Sequence, residues 1–590
     1  MLSATSIALA QCPPSATGRP WRVFPLMDAP TTVSVGGKNY SVPYFAKPYA
    51  TSNGPCTIAI NDDLIVVGTY MRVVGDAAVP RPFVWLWKSQ FGLTSGFHDL
   101  LDLIPGTSTS EPGFANDITN SGLVVGGRGG PIEDPALYAF AWSLPGFSIG
   151  GASFAKPLDT QSNSAISWSM AIAVEKHGGI SPRIVGIAGQ PACPTYWWPA
   201  DYLITSTVPS VYTTVPQPPD DDFALAPNAS HMIHFTDVAV GEQPVMNFEF
   251  ASEDPANTCS PDPRSFDGCE STFIVGAQFA SVGAPIWLRF DSTPPPAQAV
   301  IEKRPSSVRG ISSDGLAVGS ITKYVNLTNC RRLPALWDDP AAPVEMAVTP
   351  DLPVPFPYTE ATIEGLSEPL SCPVRRLVGW SLFSGEHGII WDRCPDSGNP
   401  ATWCTYVIDD LNGNPISPTR QAFDVNSMGF IAVLVDGWAQ VGNPPTSCVA
   451  GDFVGVIIPR SDLNFDRQVN GADLGILLGA WGSASPCVIS LADINGDGAV
   501  LGADLTLLLG DWSSGGPVIP LWPCSADGCP QMAEASAGFS GGSLSMGLEA
   551  LGFTSVDEFI EWSEGASVED LQAVGAMLFE LTAFFGGGDS

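Results

Sequence analysis

Two segments in the last quarter of the chain carry oxygen-bearing residues at a spacing that suits a metal ion. In each segment they fall at positions 1, 3, 5, 7 and 12 of a twelve-residue loop, the positions from which an EF-hand loop binds calcium. Position 7 contributes its backbone carbonyl, so its side chain is not restricted. The predicted ligands are Asp462, Asn464, Asp466, Gln468 and Asp473 in the first segment and Asp493, Asn495, Asp497, Ala499 and Asp504 in the second. The sequence therefore predicts two calcium sites, and calcium is the expected cofactor.

The element that must position these ligands is a helix after each loop. Every ligand position of the first segment recurs in the second at one constant offset, and so do the apolar residues that follow. Their spacing of i, i+3, i+4 and i+7 places them on one face of a helix. They are Leu474, Leu477, Leu478 and Trp481 in the first unit and Leu505, Leu508, Leu509 and Trp512 in the second. Since no helix pattern precedes either loop, each unit is predicted to be one loop followed by one helix.

Two loop–helix units in tandem, with Asp at position 12, resemble the type I dockerin, a calcium module of two F-hand units of the EF-hand kind. The resemblance lies within residues 456–516. It implies that calcium folds the module and that the folded module binds a cohesin-like protein, often beside secreted enzymes that degrade polysaccharides. The chain departs from the family at loop positions 10 and 11, which are Gly-Ala in both units. It also has Arg467 where the second loop has the turn glycine Gly498.

A second repeat, a polar turn followed by an apolar tripeptide ending in glycine, runs through the chain up to about position 460. The tripeptide predicts a short buried strand, and the glycine predicts a close backbone approach or a bulge. A tryptophan follows each copy, and the strand that carries it is expected to be the next strand of the same sheet. The glycines are Gly68, Gly126, Gly186, Gly276, Gly319 and Gly379, and the tryptophans are Trp85, Trp142, Trp197, Trp287, Trp337 and Trp391. A seventh, degenerate copy spans residues 422–430.

Repetition of this kind is typical of four-stranded blades. The sequence therefore predicts a mainly β protein. Its parts would be a β-propeller of about seven blades over residues 11–455, a small α module of two EF-hand-like units at 456–516, and a helical C-terminal tail at 554–590. A Gly/Ser-rich linker is expected over residues 517–553.

The propeller pattern also resembles the extracellular HAF repeat of bacteria, in which Asn-x-x-Gly-x-Val-Val-Gly is followed by Ala-Phe-x-Trp. The best-matching copy is residues 114–126 with residues 139–142, and the resemblance covers residues ~55–455. It implies an exported bacterial protein and assigns no chemistry to the repeat.

The first ten residues and the spacing of the cysteines are both consistent with an exported protein. Ala8-Leu9-Ala10 has the small-x-small form of a signal-peptidase site, so residues 1–10 are read as a truncated signal peptide. The expected location is secreted, extracellular or at the bacterial cell surface. Close cysteine pairs are candidate disulfides in such a compartment: Cys259 with Cys269, Cys394 with Cys404, and Cys524 with Cys529.

The charge balance excludes one class of partner. Asp and Glu number 60 against 25 Lys and Arg, a net charge of −35, whereas binding to a phosphate backbone requires Lys and Arg. No nucleic-acid partner is expected, and no apolar run is long enough for a transmembrane segment. The expected partner is a cohesin-like protein or a cell-surface glycan.

The functional reading follows from these parts. No nucleophile elbow, zinc-protease motif or phosphate-binding loop occurs, so no catalytic residue is assigned. The favoured function is a secreted, non-catalytic calcium-binding protein whose propeller binds a glycan or a protein and whose dockerin-like module attaches or assembles it. One alternative is a polysaccharide-degrading enzyme of the glycoside hydrolase type, with Glu249 and Glu253 as its carboxylate pair. Another is a structural protein of the cell envelope.

Overall fold

The computed structural model describes the propeller region and most of the helical module. The described residues are 21–42, 58–129, 137–146, 154–159, 166, 168–177, 182–189, 197–206, 208–211, 230–239, 244–251, 272–278, 286–287, 306–326, 329–339, 342–346, 360–368, 375–382, 386–393, 403–408, 419–427, 429–441, 447–459, 461–464, 469–482, 492–494 and 499–511. The predicted signal peptide, linker and helical tail lie outside them, as do Cys259, Cys269, Cys394, Cys524 and Cys529.

Strands dominate the described residues. In the first half they are β1 (Trp21–Pro30), β2 (Thr32–Val35), β3 (Lys38–Ser41), β4 (Ala59–Ile60), β5 (Ile65–Val74), β6 (Ala77–Leu86), β7 (Gly96–Asp99), β8 (Gly113–Ile118), β9 (Leu123–Arg128), β10 (Tyr138–Ser143), β11 (Ala155–Pro157), β12 (Trp168–Val174), β13 (Ile184–Gly189), β14 (Trp197–Tyr202) and β15 (Ser210–Val211). In the second half they are β16 (Ser230–Asp237), β17 (Val245–Ala251), β18 (Thr272–Gln278), β19 (Ile286–Trp287), β20 (Ser306–Ile311), β21 (Ala317–Asn326), β22 (Asn329–Asp339), β23 (Ala342–Glu345), β24 (Glu360–Leu366), β25 (Arg376–Leu382), β26 (Glu386–Arg393), β27 (Trp403–Val407), β28 (Thr419–Val425), β29 (Ile431–Val441) and β30 (Ser447–Pro459).

Nearly all of these strands form antiparallel four-stranded meanders, in which each strand pairs with the next along the chain. Three meanders are separate sheets: β4–β7, β8–β11, and β28–β30 completed by β1. Two larger sheets each contain two meanders, β12–β15 with β16–β19 and β20–β23 with β24–β27. A single parallel bridge joins each of these pairs, between Trp197 and Met232 and between Arg332 and Glu360.

The ring is closed by the two ends of the propeller region. Strand β1 pairs antiparallel with β30, with Trp21 opposite Pro459 and Val23 opposite Ile457. The first strand of the chain thereby completes the last meander, which is how a β-propeller avoids an open edge. The prediction of a mainly β propeller is confirmed.

The predicted number of about seven corresponds to meanders rather than to separate sheets. Hydrogen bonding groups the described strands into six sheets, of which one is the β2–β3 hairpin. Dividing each eight-stranded sheet at its parallel bridge yields seven four-stranded meanders among the described residues.

The repeat glycine makes room for a bulge in the neighbouring strand, as its position in the pattern predicted. In β8, β12, β20 and β24 the register with the glycine-bearing strand shifts by one residue. A Cβ on Gly126 would lie 2.0 Å from the carbonyl oxygen of Phe114. The corresponding distances are 2.1 Å for Gly186, 1.9 Å for Gly319 and 2.0 Å for Gly379, each to a backbone oxygen.

Three of the repeat tryptophans, Trp142, Trp337 and Trp391, lie in the buried core between meanders. Trp142 is on β10 and lies opposite Val124 of the glycine-bearing strand β9. Trp391 on β26 lies opposite Leu377 of the glycine-bearing strand β25 in the same way. Both side chains are fully buried. Trp142 packs in one cluster with Val67 of the preceding meander, so it holds these two neighbouring blades together through buried apolar area.

The helical module has its own core. Helices α1 (Gly471–Gly479) and α2 (Gly502–Gly510) each follow one of the predicted loops, at equivalent positions of the two units. The buried cluster consists of Leu463, Val469, Leu474, Leu477, Leu478, Ala492, Ile494, Val500, Leu505, Leu508 and Leu509. The two loop–helix units thus bury their leucine faces in one shared cluster. Neither helix is long enough to span a membrane, and the rest of the described chain holds no helix that could.

Candidate functional site

The first strands of the meanders surround one cavity on the propeller axis. Residues on β4, β8, β12, β16, β20, β24 and β28, or next to their ends, all line it. The cavity encloses about 100 Å³, which is room for several water molecules or one small group. Its wall is rich in charged side chains, and these are supplied by meanders that are far apart in the sequence.

Asp117 joins two neighbouring meanders at this cavity. Its Oδ1 accepts a hydrogen bond from the backbone N–H of Ile118 at 2.8 Å. Its Oδ2 accepts one from the N–H of Val174, the last residue of β12, also at 2.8 Å. Asp117 directly follows the bulge residue of β8, so the bulge turns its carboxylate toward the next blade.

The same arrangement occurs twice more around the ring. Asp237 on β16 accepts from the N–H of Ile311 on β20 at 2.8 Å. Asp424 on β28 accepts from the N–H of Ile60 on β4 at 2.9 Å. Each of these aspartates also follows a bulge in its strand. We call Asp117, Asp237 and Asp424 the clasp aspartates, because each one ties its own meander to the following one.

Lys176 lies among the clasp aspartates. Its Nζ is 2.6 Å from both carboxylate oxygens of Asp424. Lys176 follows β12, and Asp424 is on β28. Because the meanders of β4 and β8 lie between them in ring order, this ion pair reaches across the cavity. The two side chains are 23 % and 14 % exposed, so solvent screens the pair only in part.

The pKa values of two clasp aspartates, Asp117 and Asp237, reflect their burial. Burial raises the pKa of Asp117 to about 8, and Lys176 opposes part of that rise. Burial also raises the pKa of Asp237 to about 6. Although burial lowers the pKa of Lys176, the carboxylates of Asp424, Asp117 and Asp237 outweigh it and raise that pKa above its ordinary value. Burial therefore favours the neutral form of Asp117 and Asp237, whereas the surrounding carboxylates favour the charged form of Lys176.

A second ion pair lines the same cavity. The Nε of Arg309 on β20 lies 3.6 Å from Oε2 of Glu364 on β24, and both side chains are only 7 % exposed. The indole Nε1 of Trp380 donates to Oε1 of Glu364 at 2.9 Å. Arg309 and Glu364 both occupy the bulge position of their strands, and only this shared position could have identified them from the sequence.

The structure places six of the ten predicted calcium ligands. Asp462, Asp473, Asp493 and Asp504 are at most 2 % exposed, whereas Asn464 and Ala499 are half-buried. Asp466, Gln468, Asn495 and Asp497 lie outside the described residues. The ligand set therefore stays a prediction.

The carboxylate at position 12 closes each loop. Asp473 accepts from the backbone N–H groups of Leu463 at 2.7 Å and Asn464 at 3.0 Å through Oδ1, and from that of Asn470 at 2.8 Å through Oδ2. In the second unit, Asp504 accepts from the N–H groups of Ile494 at 2.6 Å and Leu501 at 2.8 Å. The shared donors occupy equivalent positions of the two units, so the two loops begin and end in the same way.

The donor chemistry of these loops suits calcium. Residues 461–511 contain seven aspartates, and their one basic residue is Arg467. Burying several carboxylates together is costly unless a cation neutralises them. Among the residues that the structure describes, no group of three or more His, Cys, Asp or Glu side chains is placed to hold a metal. Four predicted ligands, two of them aspartates, lie outside those residues.

The alternative carboxylate pair is only half described. Glu249 lies on β17, opposite Met232 on β16 and Ile274 on β18, and Glu253 lies outside the described residues. Strand β17 is the second strand of its meander, whereas the axial cavity is lined from the first strands.

Comparisons with known proteins leave the family open. No family model and no curated protein matches the chain. Among solved structures it is similar to a PL25 ulvan lyase bound to a GlcA–Rha3S glycan, with 10 % identity over 73 % of this chain and 95 % of that chain and a TM-score of 0.35. It is similar to the polysaccharide lyase Uly1, with 10 % identity over 75 % of this chain and 99 % of that chain and a TM-score of 0.38. A third likeness is to the sialidase of Trypanosoma rangeli, with 10 % identity over 82 % of this chain and 66 % of that chain and a TM-score of 0.30. The assignment of a propeller therefore rests on the strand pairing of this chain itself.

Proposed function

We propose that this chain is an exported, non-catalytic calcium-binding protein. In this proposal the propeller binds a glycan or a protein, and the dockerin-like helix pair attaches or assembles the molecule. The observation that carries the proposal is the matching closure of the two loops by Asp473 and Asp504, each buried at the start of a helix. HAF-type repeats, which the propeller resembles, would agree with export.

Calcium has a specific task in this proposal. The aspartates of each loop repel one another when they converge, and the segment has a single basic residue to offset them. Bound calcium supplies the positive charge that lets the loop close and the helix pack. Asp462, Asp473, Asp493 and Asp504 would hold the ions together with the remaining predicted ligands. The attachment partner would be a cohesin-like protein, which would bind the ordered helix pair.

A calcium titration of the full chain tests the metal sites. We expect calorimetry of chelator-treated protein to show two sites, with one site lost in Asp473→Asn and the other in Asp504→Asn, because each substitution removes the charge at position 12 of one loop. Asp338→Asn, an exposed aspartate on β22, is the matched control and should keep both sites. Two sites retained in the Asp473→Asn/Asp504→Asn double variant would contradict the assignment.

A second experiment separates binding from catalysis. We expect the full chain to bind at least one member of a panel of neutral, acidic and amino polysaccharides, or a surface protein, without releasing reducing ends or unsaturated sugars. Turnover that is lost in Glu249→Gln or Glu253→Gln would instead establish the enzyme alternative, because a paired carboxylate would then be required. Retention of the protein on an immobilised polysaccharide, with no shortening of the polysaccharide chains, supports the proposal.

A further inference from the structure

The axial cavity is lined by buried and half-buried charged groups that neither the calcium loops nor the ligand-binding proposal uses. Three carboxylates and one ammonium come from four different meanders and meet at the centre of the ring. We propose that Lys176 and the three clasp aspartates form a pH-sensitive lock that holds the propeller ring closed.

The clasps act at the junctions between blades. Asp117 ties β8 to β12, Asp237 ties β16 to β20, and Asp424 ties β28 to β4. In all three cases the N–H that is bound belongs to the last residue of the first strand of the next meander. These hydrogen bonds therefore hold successive first strands at a fixed spacing around the axis, in addition to the apolar core between the blades.

The junction closed by Asp424 is the one where the ring begins and ends. Asp424 belongs to the last meander, and Ile60 belongs to the first complete meander of the chain. Beside this clasp, Asn426 Nδ2 donates to the carbonyl oxygen of Asn61 at 2.9 Å. Lys176 holds the Asp424 carboxylate from the opposite wall of the cavity, so one side chain supports ring closure from across the axis.

The charges at the axis do not balance. One ammonium faces three clasp carboxylates, all of which act on it electrostatically. Among the described residues, the other charged or titratable groups that line the cavity are Asp62, His177, Arg309, Glu364 and Glu368. Among them Arg309 pairs with Glu364, and His177, whose side chain is 40 % exposed, lies 4.0 Å from Asp62. Nothing in this set offsets the excess negative charge when every clasp aspartate is ionised.

The sign of the pH dependence follows from the raised pKa values. Asp117 and Asp237 have folded pKa values of about 8 and about 6, above the ordinary value of 3.8. The folded chain therefore binds more protons than the unfolded chain between these limits, and stability falls as pH rises through that window. The contribution of Asp237 is lost between about pH 4 and 6, and that of Asp117 between about pH 4 and 8. The folded ring is therefore most stable in acid, and its stability falls as Asp117 and Asp237 ionise beside Lys176.

Removal of the Lys176 ammonium should lower the melting temperature most when Asp117 and Asp237 are ionised. We expect Lys176→Met in the full chain to lower the melting temperature more at pH 9 than at pH 5, because the carboxylates then face one another without the ammonium. Lys176→Arg keeps the charge and should retain most of the wild-type pH profile. Lys88→Met, an exposed lysine in a loop, is the matched control and should shift the melting temperature by a similar small amount at both pH values.

Replacing two clasp aspartates with neutral side chains should weaken the dependence of the melting temperature on pH. We expect the Asp117→Asn/Asp237→Asn double variant to show a smaller fall in melting temperature between pH 5 and pH 9 than the wild type, whatever its absolute stability. All melts are recorded with chelator present, so that pH does not act through calcium.

Two results would overturn the lock. One is a Lys176→Met variant whose loss of melting temperature is the same at pH 5 and pH 9, as for an ordinary structural lysine. The other is a double asparagine variant that keeps the full wild-type slope. If Asp117→Asn/Asp237→Asn does not fold, the comparison of Lys176→Met with Lys176→Arg decides the question alone.

Discussion

Gly126→Ala is expected to destabilise the propeller by about 3 kcal/mol or more, because the new methyl group has nowhere to go. Its Cβ would lie 2.0 Å from the carbonyl oxygen of Phe114 and 2.9 Å from the carbonyl carbon. These are backbone atoms of the bulged strand β8, which cannot rotate away as a side chain would. The free energy of unfolding, measured by urea titration with tryptophan fluorescence, should record the loss.

The chain contains a matched control for this prediction. Gly68 occupies the same position of the repeat, yet its neighbour β4 pairs with β5 without a register shift. A Cβ there would first meet the ring of Phe83, at 3.1 Å, and a ring can move by a few tenths of an ångström. Gly68→Ala should therefore cost clearly less than Gly126→Ala. Equal losses at the two positions would show that the bulge is not what requires glycine.

Asp392→Ala is expected to cost about 3–5 kcal/mol of unfolding free energy, because it leaves the Arg376 guanidinium buried without its carboxylate. The Nε and one terminal nitrogen of Arg376 each donate to a carboxylate oxygen of Asp392 at 2.8 Å, and both side chains are fully buried. Arg376 also donates to the carbonyl oxygen of Gly429 at 3.1 Å, which links its meander to the last one. Loss of the carboxylate therefore disturbs a junction between blades as well as one sheet.

The cost comes from the isolated charge and not from the absence of a salt bridge, so removing both partners should recover part of it. We expect Arg376→Met/Asp392→Leu to be more stable than Asp392→Ala in the same urea titration. Arg183 and Asp201 form the corresponding pair of another meander, and their side chains are 28 % and 18 % exposed. Asp201→Ala should accordingly cost well under half as much. A double variant no better than the single one would refute the argument.

The local repeat determined the blades. An apolar tripeptide that ends in glycine, a turn before it and a tryptophan after it are all short-range features, and they were enough to predict antiparallel meanders. The glycine requirement was also visible, because Gly126 serves a contact between neighbouring strands of one meander. The spacing of the leucines after each loop segment is also a short-range feature, and it predicted the two helices and their buried leucine faces.

The loop ligands stay a prediction. The sequence singled out Asp473 and Asp504 at position 12, and the structure places both as the closing group of their loops. That they also bind calcium stays a prediction, as does the exported location. The other predicted ligands with side-chain oxygens that lie outside the described residues are Asp466, Gln468, Asn495 and Asp497, and their roles stay predictions as well.

The axial cluster was decided by the tertiary structure alone. Lys176 and Asp424 are 248 residues apart, and each looks like an ordinary polar residue beside a turn. They meet because β1 pairs with β30 and closes the ring, which brings every first strand to one axis. Bulges then aim one aspartate from each of three strands at the next blade. The strand pattern along the chain determines each blade, whereas ring closure is a single long-range event, and the chemistry at the axis exists only after that closure.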